Sequence, residues 1–127
     1  MGFLDVLLRR KPDSSQGEQA VLIWLDGSAL PDQVYAEYDL STLEDQLIAR
    51  LDATLAGELD GNEFGPEGTT LYLYGPDAEL LFRVIEPVLR AYPLCTGARV
   101  HIRRGGPGAP ERIVHLGTVV DRDQPDC

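Results

Sequence analysis

Gly57–Gly75, GELDGNEFGPEGTTLYLYG, constrains the fold more than any other stretch of this chain. Its first residue suits the C-terminal stop of a helix, because glycine adopts left-handed backbone without a Cβ penalty. Glu58–Gly68 reads as an acidic, glycine-turned loop. Thr69–Tyr74 then alternates, with Leu71 and Leu73 on one side and Thr70, Tyr72 and Tyr74 on the other. Bulk on both faces predicts an interior strand. Gly75-Pro76 starts the next helix, since proline lacks only a donor that the first helical turn leaves unpaired.

The helix before this stretch spans Ser41–Leu55. Ser41 and Glu44 fit the S-x-x-E capping box, and Leu43, Leu47, Ile48, Leu51 and Leu55 form one apolar stripe. The helix after it buries Leu81, Ile85 and Leu89 together with Leu80, Val84 and Val88. Pro87 lies inside that pattern and predicts a kink or an end near Glu86. Gln19–Leu25 is an almost continuous apolar run, as in a strand covered on both faces, and Val34–Leu40 alternates like a half-buried strand. Ala98–Arg103 and Arg112–Leu116 read as a terminal hairpin. Placing Val100 opposite Leu116 and Ile102 opposite Val114 puts His101 opposite His115 on the other face. The order ββαβαββ predicts an α+β fold: a two-layer sandwich of two helices on one mixed sheet of about five strands. Residues 19–118 would form this single domain. Residues 1–18 would supply a short amphipathic helix and linker, with Phe3, Leu4, Leu7 and Leu8 at helical spacing, and residues 119–127 a flexible tail.

Charge is segregated along the chain. Net charge is −10 overall. Residues 19–80 hold thirteen acids against the single base Arg50, whereas residues 81–116 hold six arginines against Glu86 and Glu111. Such segregation predicts a polarised surface that steers partners. The acidic excess argues against nucleic-acid binding, whose affinity comes mainly from neutralised phosphates. Two cysteines, Cys95 and Cys127, make a poor disulfide framework and point to a reduced, cytoplasmic setting. No apolar run approaches the roughly 18 residues of a membrane span. The N-terminal charges follow the apolar patch, unlike a signal peptide, and Val6 stands where a myristoylation signal needs Ser or Thr.

Chemical signatures fail on their details. Asp60, Asn62 and Gly65 match positions 1, 3 and 6 of an EF-hand loop, but Phe64 and Leu71 occupy two ligand positions. His101 and His115 supply half a tetrahedral metal shell among arginines, which repel cations. Arg99, His101, Arg103 and His115 suit an anion better, because guanidinium groups match carboxylate and phosphate. Cys95 and Ser28 are the candidate nucleophiles, and neither sits in a recognisable triad motif. No cofactor, metal or catalytic set emerges, and the chain reads as non-enzymatic. A tyrosine face left uncovered by helices would be a protein-binding surface.

In size and acidity the chain is similar to the small bacterial proteins that neutralise a basic toxin partner, a likeness of composition that carries no motif. The leading expectation is therefore a binding protein that engages a basic protein partner through Glu58, Asp60, Glu63, Phe64 and Glu67. The alternatives are a small-anion or metabolite-binding domain using the basic hairpin, and a homodimer in which the acidic half of one chain meets the hairpin of another.

Overall fold

The computed structural model describes residues 19–106 and 108–117. The N-terminal amphipathic helix, the linker and the tail expected above lie outside the described residues. The elements are β1 (Gln19–Asp26), α1 (Asp32–Glu37), α2 (Leu40–Thr54), β2 (Glu58–Phe64), β3 (Gly68–Gly75), α3 (Ala78–Ala91), a one-turn helix at Pro93–Cys95, β4 (Arg99–Arg103) and β5 (Glu111–His115). The strands form one sheet in the order β2-β3-β1-β4-β5. Every neighbouring pair is antiparallel, so the fold is α+β and the sheet is not mixed.

The core lies on one side of this sheet. Val21, Ile23, Leu71, Leu73, Val100 and Ile102 point from the three interior strands into a single buried cluster. Leu43, Leu47 and Leu51 of α2 and Leu81, Phe82, Ile85 and Leu89 of α3 close it from above. The helical stripes predicted from periodicity thus meet the sheet, although Ile48, Leu55 and Leu80 are exposed and Val84 and Val88 only partly buried. Helix α3 continues through Pro87 to Ala91 instead of ending at Glu86. Arg50 Nε donates to Val84 O (2.9 Å) in the turn that the proline disturbs, which supplies a donor close to the one the ring removes.

The other helix ends differ from the sequence expectation by one or two residues. Helix α2 is N-capped at Asp39, whose carboxylate accepts from Ser41 Oγ (2.6 Å) and Thr42 Oγ1 (2.8 Å). Glu44 therefore does not reach back to Ser41; it accepts from Asn62 Nδ2 on β2. The left-handed residue that ends α2 is Leu55, at φ 59°, not Gly57. Gly57 is needed for proximity: a Cβ there would collide with Tyr74 O and crowd Leu81. Helix α3 starts at Ala78, two residues after the expected first position Pro76, and its N-cap Asp77 accepts from the N–H groups of Glu79 and Leu80.

Two elements change type. Val34–Leu40, expected as a strand, is divided: residues 34–37 belong to α1, Tyr38 caps it, and Leu40 begins α2. Its residues Val34 and Tyr38 satisfy helical i, i+4 spacing as well as period two. Tyr35 Oη donates to Asp26 O (2.9 Å), and Tyr38 packs edge-on against Tyr92, with centroids 5.5 Å apart. The expected loop Glu58–Gly68 is instead mostly strand β2. Low β propensity is overridden because β3 offers an unpaired edge, and the ladder accommodates Asp60 in an irregularity between Leu59 and Gly61. The observed order is βααββαββ with three helices.

The C-terminal hairpin keeps its predicted faces but slips by two residues. Val100 opposes Val114, His101 opposes Ile113 and Arg99 opposes His115. Leu116 stays buried by pairing beyond β4, its N–H donating to Ala98 O (2.8 Å). The slip also brings Arg112 opposite Ile102, at the helix-side edge of the sheet. From there its guanidinium makes two bonds to the Glu79 carboxylate, at 3.0 and 2.7 Å.

Candidate functional site: the open face of the sheet

All the helices that close the core lie on one side, so among the described residues no helix covers the opposite face of the sheet, although Ala20 on it is fully buried. The expectation that β1 is covered on both faces fails for this reason: Leu22 and Trp24 are only half-buried. The strand registers order this face into three rows. One runs Glu63, Thr70, Trp24, Arg99, His115; the next runs Gly61, Tyr72, Leu22, His101, Ile113. The third runs Glu58, Tyr74, Ala20, Arg103, Glu111. Sheet order therefore converts the charge segregation of the sequence into a gradient in space. Acids stand on the β2 edge, aromatic and apolar side chains occupy the middle, and bases stand on β4.

The acidic residues singled out in the sequence are only partly brought together. Glu63, Phe64 and Glu67 line a shallow hollow of about 230 Å³ with Trp24 and Thr70, beneath the β2–β3 turn. Gly65 N donates to Gly68 O (2.8 Å) and Gly27 N to Glu67 O (2.9 Å), which fixes that turn against the end of β1. Glu58 lies at the other end of β2 beside Tyr74, and Asp60 occupies the irregularity between them. Phe64 does not tuck onto the core: it is 71% exposed. It forms a ridge between this hollow and a second one of about 350 Å³ on the helix side, which Tyr35, Tyr38 and Leu94 also line. Glu63 accepts from Tyr72 Oη (2.6 Å), and this bond, together with burial, pushes the Tyr72 pKa above its ordinary value.

The basic residues do share one face. Arg99 lies over the Trp24 ring at 4.2 Å, Arg103 Nε donates to Gly105 O (3.0 Å), and His101 Nδ1 contacts Glu111 Oε1 (3.0 Å). The Glu111 carboxylate thus stands within the cluster and offsets its positive field. Trp24 is the residue that sequence reading undervalued. Its alternation with Leu22 in β1 was the available signal, and the apolar run around it obscured that signal.

Other chemistry finds little support in this geometry. Cys95 is buried, and burial pushes its thiol up to about 12, so at neutral pH it carries almost no thiolate to act as a nucleophile. Ser28 lies in a turn where Asp26 Oδ1 accepts from the N–H groups of Ser28 and Ala29 (2.8 Å each). Among the described residues no group of three His, Cys, Asp or Glu side chains converges as a metal site, and no helix is long and apolar enough to cross a membrane.

The fold and face together describe an α+β sandwich with one helical layer and one exposed, charge-graded sheet surface. In comparison with known proteins, no family model matches the chain, nor does any curated protein or solved structure.

Proposed function

We propose that the protein is a non-enzymatic binding module whose open sheet face engages a basic protein partner. The observation that carries this reading is the uncovered middle of the sheet, where Trp24, Leu22 and Tyr72 adjoin the acids Glu58 and Glu63. Aromatic residues at the centre of a patch contribute most of the binding energy at protein interfaces, while charges at the rim steer encounter and set orientation. A partner with an apolar centre and lysines or arginines placed to meet the β2 side, away from Arg99, His101 and Arg103 on β4, complements this arrangement. Blocking such a partner's working surface is the inhibitory role that size and acidity suggest.

The test compares immobilised wild-type protein with Trp24→Ala and Glu63→Lys, each exposed to lysate at low and at physiological salt. Support requires a basic partner that wild type retains, that both substitutions release and that salt weakens. A partner held equally by both variants, or indifferent to salt, overturns the reading.

A further inference from the structure

The two edges of the sheet are built differently. Strand β2 carries Glu58, Asp60 and Glu63 and breaks its ladder between Leu59 and Gly61. Acidic side chains and an irregular ladder are devices by which proteins discourage pairing at an edge. Strand β5, ERIVH, keeps a regular ladder and holds its charges, Glu111 and Arg112, in its first two residues. It pairs with β4 in unbroken register, contains the β-branched Ile113 and Val114, and leaves Ile113 48% exposed. Among the described residues nothing pairs with its outer side.

The direction of its backbone groups follows from the bonds that flank it. Arg104 N donates to Pro110 O (3.4 Å) and Leu116 N to Ala98 O (2.8 Å), so each of these opposed pairs makes one bond and both fall in the bonded phase of the ladder. Bonded and non-bonded pairs alternate along an antiparallel ladder. Arg112 and Val114 therefore bond toward β4, while the N–H and C=O groups of Glu111, Ile113 and His115 point outward from the sheet.

We propose that β5 pairs with β5 of a second copy, antiparallel about a two-fold axis at Ile113. In that register Ile113 of one copy meets Ile113 of the other, and Glu111 meets His115, each as a bonded pair using outward groups. Arg112 falls opposite Val114 on the helix side. A register one step shorter, centred on Arg112, would oppose two arginines, and one centred on Val114 would leave Glu111 beyond the end of the partner strand. The strand is thus complementary to itself in both charge and hydrogen bonding, as an isologous interface requires. Pairing would join the two open faces into one ten-stranded surface, with basic strands at its centre and acidic β2 edges at its ends. This interface is separate from the partner-binding reading, and either can fail while the other stands.

Sedimentation equilibrium of the full chain, together with amide exchange followed by NMR, tests the proposal. The expected mass is twice 14.0 kDa. Protection of the Glu111, Ile113 and His115 amides should rise with protein concentration, whereas Arg112 and Val114 stay protected throughout. Ile113→Pro removes an outward donor and no bond to β4, and Ile113→Lys opposes like charges while keeping that donor. Both should return the protein to a monomer with Arg112 and Val114 still protected. A monomer at millimolar concentration overturns the proposal, as does a dimer whose Glu111, Ile113 and His115 amides exchange freely. So do protection independent of concentration, which would place a segment of the same chain on this edge, and a dimer that survives both substitutions.

Discussion

At Glu79 the acidic and basic halves of the chain are tied together. Its carboxylate takes two bonds from Arg112 and one from Arg104 (3.3 Å), joining the first turn of α3 to the terminal hairpin. The Arg112 hydrogen bond, followed by that of Arg104, outweighs burial and holds the Glu79 pKa below its ordinary value. A depressed folded pKa contributes stability that is full above the unfolded pKa and lost as pH falls through the folded one. Glu79→Gln is therefore expected to lower the urea midpoint at neutral pH, with the two proteins converging in acid below the usual carboxylate range. A gap that persists undiminished in acid would show that the charge is not the cause. Cys95 gives a second test at this scale. With its thiol buried and pushed up to about 12, a Cys127→Ser protein should react with a thiol reagent only as fast as it opens. Labelling at the rate of a free thiol would contradict the buried position.

Among the elements, α2 ends on a residue that works against it. Leu55 takes a left-handed conformation at φ 59° while 84% exposed, so it bears a backbone cost without compensating burial. Leu55→Gly is expected to raise the unfolding free energy by about 1 kcal/mol, measured by urea titration. No gain, or a loss, would mean that the side chain contributes in a way its exposure hides. The short helix α1 and the edge strand β2 show where local pattern misleads. Val34–Leu40 fits two periods equally over seven residues, and the Tyr35 and Tyr38 contacts to Asp26 and Tyr92 select the helix. The residues of β2 are poor strand formers individually, but the free edge of β3 pairs them. In the hairpin the hydrophobic pattern determines the faces, whereas a slip of two leaves every face unchanged. Pairing of Leu116 with Ala98 and of Arg112 with Glu79 selects between these registers.

For the whole molecule the governing feature is a core on one side of the sheet only. Ile23 and Trp24 are neighbours in β1, yet Ile23 is fully buried beneath the helices while Trp24 faces outward. Ile23→Ala should cost about 2–5 kcal/mol, because it leaves a cavity in close-packed surroundings. Trp24→Ala should cost distinctly less in thermal or urea unfolding, since the site has no second layer to hollow out. Equal losses would indicate that something covers the open face. Much of this architecture was legible in the sequence. The helical stripes of α2 and α3, the apolar run of β1, the alternation in β3 and the division of charge at residue 80 are short-range patterns, and local physics suffices to read them. The candidate site was legible only in its ingredients: the tyrosines, the acids of β2 and the bases of β4. Tertiary structure decided that β1 lies between β3 and β4, and so that acids, aromatics and bases share one face with Trp24 at the middle. Strand order depends on pairings between residues far apart in the chain, and those pairings are settled by which edges and apolar faces remain unsatisfied once the local elements have formed.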